Sequence, residues 1–126
     1  MSAPATKKKQ EPGGSGVEAV NEVRLVGRVS AAPEERILPS GDALWTFRVV
    51  VPRQSVRAGS RQTVDVLECV VWGGRVRRSV VTWQEGDQVE ITGSVRRRFF
   101  RAGGSAASRV EIEVYGGRVM RRAANG

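Results

Sequence analysis

From Asn21 onward, apolar and polar residues alternate with a period of two in five separate stretches. Side chains of a strand point to opposite faces in turn, so this pattern marks strands with one face in a core and the other in water. In "NEVRLVGRVS", Val23, Leu25, Gly27 and Val29 share one side, and Arg24, Val26 and Arg28 share the other. After a turn at "PSG", Pro39 to Gly41, the stretch "ALWTFRVVV" sets Trp45, Phe47, Val49 and Val51 against Leu44, Thr46, Arg48 and Val50. Pro52 and the polar "RQSVRAGSRQ" form a loop before the third strand, "TVDVLECVVW". There Leu67, Cys69 and Val71 face a core, and Val66, Glu68, Val70 and Trp72 face outward. "DQVEITGSVRRRFFR" and "SRVEIEVYGGRVMRR" supply the fourth and fifth strands. Their inward rows are Val89, Ile91, Gly93 and Val95, then Val110, Ile112 and Val114, and "AGGSA" makes a loose hairpin tip between them.

One segment breaks the alternation. In "GGRVRRSVVTW", Val76, Val80 and Trp83 stand at i, i+4 and i+7, the spacing of one helical face, between Gly73, Gly74 and Gly86. An all-β chain of five strands with one short helix between the third and fourth has the element order of an OB-fold, a small Greek-key barrel. The expected organisation is a disordered basic arm over residues 1–20, the barrel over 21–122 and a short C-terminal extension over 123–126. The arm holds Lys7, Lys8 and Lys9 and almost nothing to bury.

Charge narrows the function. With 21 Lys and Arg against 13 Asp and Glu, the net charge is +8, which favours a polyanionic partner. There is no histidine, and Cys69 is the one cysteine, so neither an intrachain disulfide nor a zinc site of the usual Cys/His kind is available. The acidic residues Glu22, Glu34, Glu35, Asp65, Glu68, Glu111 and Glu113 assemble no recognisable acid/base pair, and no phosphate loop is present. Neither a cofactor nor a metal is expected, and the chain is not expected to be an enzyme. No apolar run is long enough to span a bilayer and the N-terminus has no signal-peptide stretch, so a cytoplasmic, nucleoid-associated protein without a membrane partner is expected.

The candidate site follows from what single-stranded nucleic acid offers, a charged backbone and exposed base faces. On the fourth strand the outward row is Gln88, Glu90, Thr92, Ser94, Arg96, Arg98 and Phe100, with Arg97 and Phe99 opposite. Arg101 and Arg109 extend that patch. Trp72 lies on an outward row and offers a second ring, while Arg24, Arg28 and Arg48 are candidates to line a groove. The alternative use of Phe99 and Phe100 is a subunit contact, and that of Trp72 is closure of the barrel end. Trp45, Phe47 and Trp83 belong to the core-facing set, and Cys69 serves as a small buried hydrophobe.

The ordered series "NEVRLVGRV", "PSGDALWTFRVVV", "ECVVWGGR", "WQEGDQVEITGSVRRR" and "VEIEVYGG" resembles the bacterial single-stranded DNA-binding protein family over Asn21 to about Arg122. The resemblance implies an OB-fold that oligomerises, usually as a tetramer, and wraps single-stranded DNA in replication, repair or recombination. Where family members carry two stacking tryptophans, this chain has Gln54 or Ser55, and Val66. Trp72 and Phe100 match the remaining aromatic positions. With "MRRAANG" at its end, the chain is expected to lack the acidic tail by which the family recruits repair partners. Leu67 alters a place used in the family's subunit contact, leaving both dimer and tetramer open. Two rivals stand beside single-stranded DNA binding: a primosomal or recombination adaptor with weak nucleic-acid affinity, and an RNA-binding OB protein.

Overall fold

The computed structural model describes residues 16–55 and 57–124. Lys7, Lys8 and Lys9, most of the expected arm and the last two residues of the expected extension lie outside the described residues. The elements in chain order are β1 (Val23–Val29), β2 (Glu34–Ile37), β3 (Ala43–Pro52), β4 (Val64–Val71), α1 (Arg75–Val80), β5 (Gln88–Ala102) and β6 (Ser105–Arg121).

The sheet runs β1-β5-β6-β4-β3-β2, and a further antiparallel pairing of β1 with β3 closes it into a barrel of β1, β3, β4, β5 and β6. Closure needs one parallel contact, β4 with β6, in which Cys69 lies beside Ile112 and Val70 beside Glu113. The fold is therefore the expected five-stranded OB barrel with its short helix. β2 is an addition that the alternation did not announce. Its sequence, EERI, is exposed at every position and is held by backbone pairing to Ala43–Thr46 of β3.

The inward rows meet in one core. Val29, Val49, Val71, Val80, Val89 and Ile91 are wholly buried, and Phe47 meets Trp83 edge to face at 5.4 Å between ring centroids. The expected helical face is only partly helical, since α1 stops at Val80. Trp83 reaches the same core from the following turn, where its backbone N–H donates to the Val80 carbonyl. Asp87, almost completely buried, ties that turn to the chain beyond β6. Its carboxylate accepts from the Gln84 and Ala123 backbone N–H groups and from Arg122 at 2.8–2.9 Å. Burial pushes this carboxyl up, but the backbone donors of Ala123 and Gln84 and the Arg122 guanidinium outweigh it and hold it below the usual carboxylate range.

Strict alternation misplaces several side chains. Leu44, Val50 and Val70, expected on outward rows, are buried. Val70 sits mid-sheet between Thr46 on β3 and Glu113 on β6, so a neighbouring strand flanks it on each side. Val95, expected inward, is 40% exposed because β1 pairing with β5 begins at Gly93 and leaves Val95 beyond the barrel's edge. Ser94, expected outward, is buried and donates to the Asn21 carbonyl. The Asn21 side-chain amide continues the ladder for one more residue, donating to the Val95 carbonyl at 2.8 Å and accepting from its N–H at 2.9 Å. The tip is tighter than expected, a two-residue turn at Gly103 and Gly104 with φ of 59° and 84°, values that glycine adopts without a Cβ penalty. Among the described residues no helix is long and apolar enough to cross a membrane.

Candidate nucleic-acid interface

Past Gly93 the β5–β6 ribbon leaves the barrel as a long hairpin, paired without interruption from Val95 and Ile112 to Ala102 and Ser105. Cross-strand partners share a face, so Arg96 with Glu111, Arg98 with Arg109, and Phe100 with Ala107 lie on one side. Arg97 with Val110, and Phe99 with Ser108, lie on the other, as alternation predicts. At the hairpin's base a groove of about 230 Å³ opens between the connection after β1 and β6. Glu34 and Arg36 border it on one side and Arg109 and Glu111 on the other, with Thr46, Arg48 and Glu68 of β3 and β4 between them.

The hairpin and groove meet through one network. Glu111 is buried, and its two oxygens take Arg98 Nε at 2.6 Å and Arg109 Nε at 3.4 Å. The Arg98 guanidinium lies over the half-buried Trp72 ring, 5.1 Å from its centroid, and that of Arg109 lies over Phe100 at 5.5 Å. Beside it Arg96 donates to Glu113 at 2.8 Å and to the Tyr115 hydroxyl at 2.8 Å; the hydroxyl first and Glu113 second hold its charge more firmly than in water. Arg48 donates to Glu68 at 2.6 Å across β3 and β4. Arg101 reaches the Gly104 carbonyl near the tip at 3.4 Å.

The structure thus brings Arg48, Trp72, Arg96, Arg98, Phe100 and Arg109 to one side of the hairpin and its base, whereas Arg101, paired with Ala106, lies on the ribbon's other face with Arg97 and Phe99. It does not bring Arg24 there. Arg24 lies on the outer face of the β1, β5 and β6 wall, where it and Arg118 both donate to Glu90 and hold that carboxyl below its usual range. Arg24 lines a second hollow with Thr92, Ser94 and Tyr115, which meets the hairpin's base where Tyr115 accepts from Arg96. Arg28 stands opposite Gln88 and Val50 at the seam of β1 with β5 and β3, with no carboxylate partner among the described residues. Sequence reasoning left out Glu111, Tyr115 and Arg36. For Glu111 the signal was available, because it shares an outward row with Arg109 and faces Arg96 across the ribbon.

The groove itself is close to electrically balanced, since Arg36, Arg48 and Arg109 line it together with Glu34, Glu68 and Glu111. Arg48 and Arg109 are oriented by carboxylates, Glu68 and Glu111, with guanidinium N–H groups left over for a ligand. Among the described residues no three His, Cys, Asp or Glu side chains assemble to hold a metal. Cys69 is not a nucleophile here, because burial, then Glu68 and Glu111, push its thiol up to about 12.

A closed five-stranded barrel with one short helix and a long basic hairpin defines an OB module. Residues 20–120 match the model of the single-strand binding protein family, and the chain belongs to that family. It is 33% identical over 79 residues to single-stranded DNA-binding protein 1 of Lactococcus lactis, covering 63% of this chain and 53% of that protein. It is 31% identical over 93 residues to single-stranded DNA-binding protein 3 of Listeria innocua, covering 74% and 57%. The chain therefore spans about half the length of the curated relatives it matches. Among solved structures, a Plasmodium falciparum SSB in complex with ssDNA superposes with a TM-score of 0.65 at 20% identity, over 84% of this chain and 97% of that one.

Proposed function

We propose that this protein binds single-stranded DNA largely independently of sequence, without catalysis, through the surface formed by the groove and the β5–β6 hairpin. The observation that carries this reading is the run Trp72, Arg98, Glu111, Arg109 and Phe100, in which two ring–guanidinium pairs meet at one carboxylate. Rings take base faces and guanidiniums take phosphates, so both halves of the ligand are met. The relatives' names and the DNA held by the structural neighbour support the same ligand. Arg96 and Arg101 belong to the phosphate-contacting set, with Arg48 at the groove and Arg28 at the seam. Arg24 is placed on a second wall, reached only by DNA that wraps around the barrel. The binding unit is the barrel of residues 21–122, it works as a homo-oligomer in replication, repair or recombination, and its cellular place is the cytoplasm beside the nucleoid.

Anisotropy of labelled oligo(dT), with duplex DNA and oligo(U) as competitors over a salt series, tests this reading. Arg96→Ala and Arg101→Ala should each flatten the slope of log affinity against log salt by about 0.7. Trp72→Ala and Phe100→Ala should each weaken binding about tenfold while leaving the slope unchanged. Four variants that bind like the parent would refute this surface. A second reading rests on a specific observation, the carboxylate partners of Arg48, Arg96, Arg98 and Arg109 together with Val66 in place of a stacking ring. These features favour an adaptor that binds nucleic acid weakly and holds a protein partner. Weak oligo(dT) binding that duplex displaces equally would put that reading first, and displacement by oligo(U) alone would point to RNA.

A further inference from the structure

Trp72 and Phe100 do not present bare rings. Each ring has a guanidinium over it, Arg98 at 5.1 Å and Arg109 at 5.5 Å, and both guanidiniums are held through Nε by one carboxylate, that of Glu111. The Glu111 side chain is only 6% exposed, whereas those of Arg98 and Arg109 are 38% and 51% exposed. A buried carboxylate is costly unless its charge is matched, and here two arginines match it from the solvent side. Arg98 donates to Glu111 through Nε, and the hydrogen bonds of the described residues show no terminal nitrogen of either guanidinium donating to that carboxylate.

We infer that Glu111 is a positioning residue that builds two layered stacking platforms for single-stranded DNA, with Arg98 on Trp72 and Arg109 on Phe100. A guanidinium is planar and weakly hydrated, and bases stack on it as they do on an aromatic ring. Each platform offers a base the solvent-facing side of a guanidinium already seated on a ring, and offers the adjoining phosphate the free N–H groups. This arrangement supplies stacking surface in a chain that has Val66, and Gln54 or Ser55, where the family carries rings. It rests on the proposed single-stranded DNA binding and assigns a role to a carboxylate that simple electrostatics would count as a defect in a DNA groove.

The two accounts of Glu111 predict opposite signs. If Glu111 only repels phosphate, Glu111→Gln should tighten oligo(dT) binding and steepen its salt slope. If Glu111 positions the platforms, Glu111→Gln should bind about tenfold more weakly at about 0.5 M salt, where long-range charge effects are screened. Quenching of tryptophan emission by oligo(dT), taken against a Trp72→Phe control, should shrink in the same variant. Arg98→Lys combined with Arg109→Lys keeps both charges, removes both planes and should give the same loss. Adding Glu111→Gln to that pair should cost little more, because all three changes break one unit. Should Glu111→Gln fail to fold, the lysine pair decides alone, and parent-like affinity in it overturns the inference. Parent-level or tighter binding by folded Glu111→Gln also overturns it. A parent chain that does not bind oligo(dT) is a different result, since it refutes the proposed function and the platforms with it.

Discussion

Between Gln88 and Ser94 the β5–β6 ribbon buries Val89 and Ile91 completely, whereas between Val95 and Ala102 the same ribbon leaves Phe99 76% exposed. The first half is held by apolar packing and by strand neighbours on both sides. The second half is held by its own ladder, two guanidinium–ring contacts and the ion pairs of Glu111 and Glu113. One strand therefore passes from an interior that cannot yield to a surface whose side chains can exchange partners. A binder of a flexible polymer needs both, a rigid base to hold geometry and an arm whose contacts a ligand can replace.

The sharpest way to break the first half is at Gly93, where the ribbon leaves the barrel. A Cβ there would lie 2.0 Å from the Glu113 carbonyl oxygen, a backbone atom that cannot step aside. Gly93→Ala should cost about 3 kcal/mol or more. On the same strand, Phe99→Ala should change stability by less than about 0.5 kcal/mol, because its ring is in solvent. Urea titration of both variants checks the pair, and equal midpoints would erase the distinction between the two halves.

Asp87 tests the barrel end at a smaller scale. Asp87→Asn keeps the shape but loses the charge that three donors converge on, and should cost about 1.5–3 kcal/mol. Because the folded-state pKa of Asp87 is depressed, its stabilisation is full above the unfolded value near 3.9 and is lost as pH falls through the folded value. The gap between parent and Asp87→Asn in thermal unfolding should therefore be wide at neutral pH and close under acid. A gap independent of pH would mean that the Asp87 carboxylate charge is not what holds Gln84, Arg122 and Ala123.

Alternation made the barrel legible because each strand of a half-buried sheet repeats one instruction, inward or outward, at every residue. It names a face without naming a wall. Arg24 and Arg48 both read as outward, yet a closed barrel turns them onto different walls, Arg24 against Glu90 and Arg48 against Glu68. β2 was illegible for another reason: EERI carries no alternation, and its extended form comes from pairing with Ala43–Thr46 rather than from its own side chains. Glu111 invited a search for catalytic partners. Its role depends on cross-strand register and on ring contacts, which no single strand spells out.

The smallest effect separates the halves without any mutation. Raising salt from about 0.1 M to about 1 M shortens the screening length from about 10 Å to about 3 Å. Apolar packing around Val89 and Ile91 carries no charge to screen, so their amides should keep their protection against hydrogen exchange. The Arg96–Glu113 pair joins a guanidinium that is 49% exposed to a carboxylate that is 23% exposed, and such a pair contributes at most about 1 kcal/mol. Losing part of that should make hairpin amides from Arg96 to Arg101 exchange about twofold to fivefold faster. The mechanism also fixes where the change stops. Asn21 holds Val95 by two neutral hydrogen bonds, so protection at Val95 should persist while that of residues beyond it declines. A uniform response along β5 would show instead that the hairpin draws its order from the barrel and not from its arginine–carboxylate–ring network.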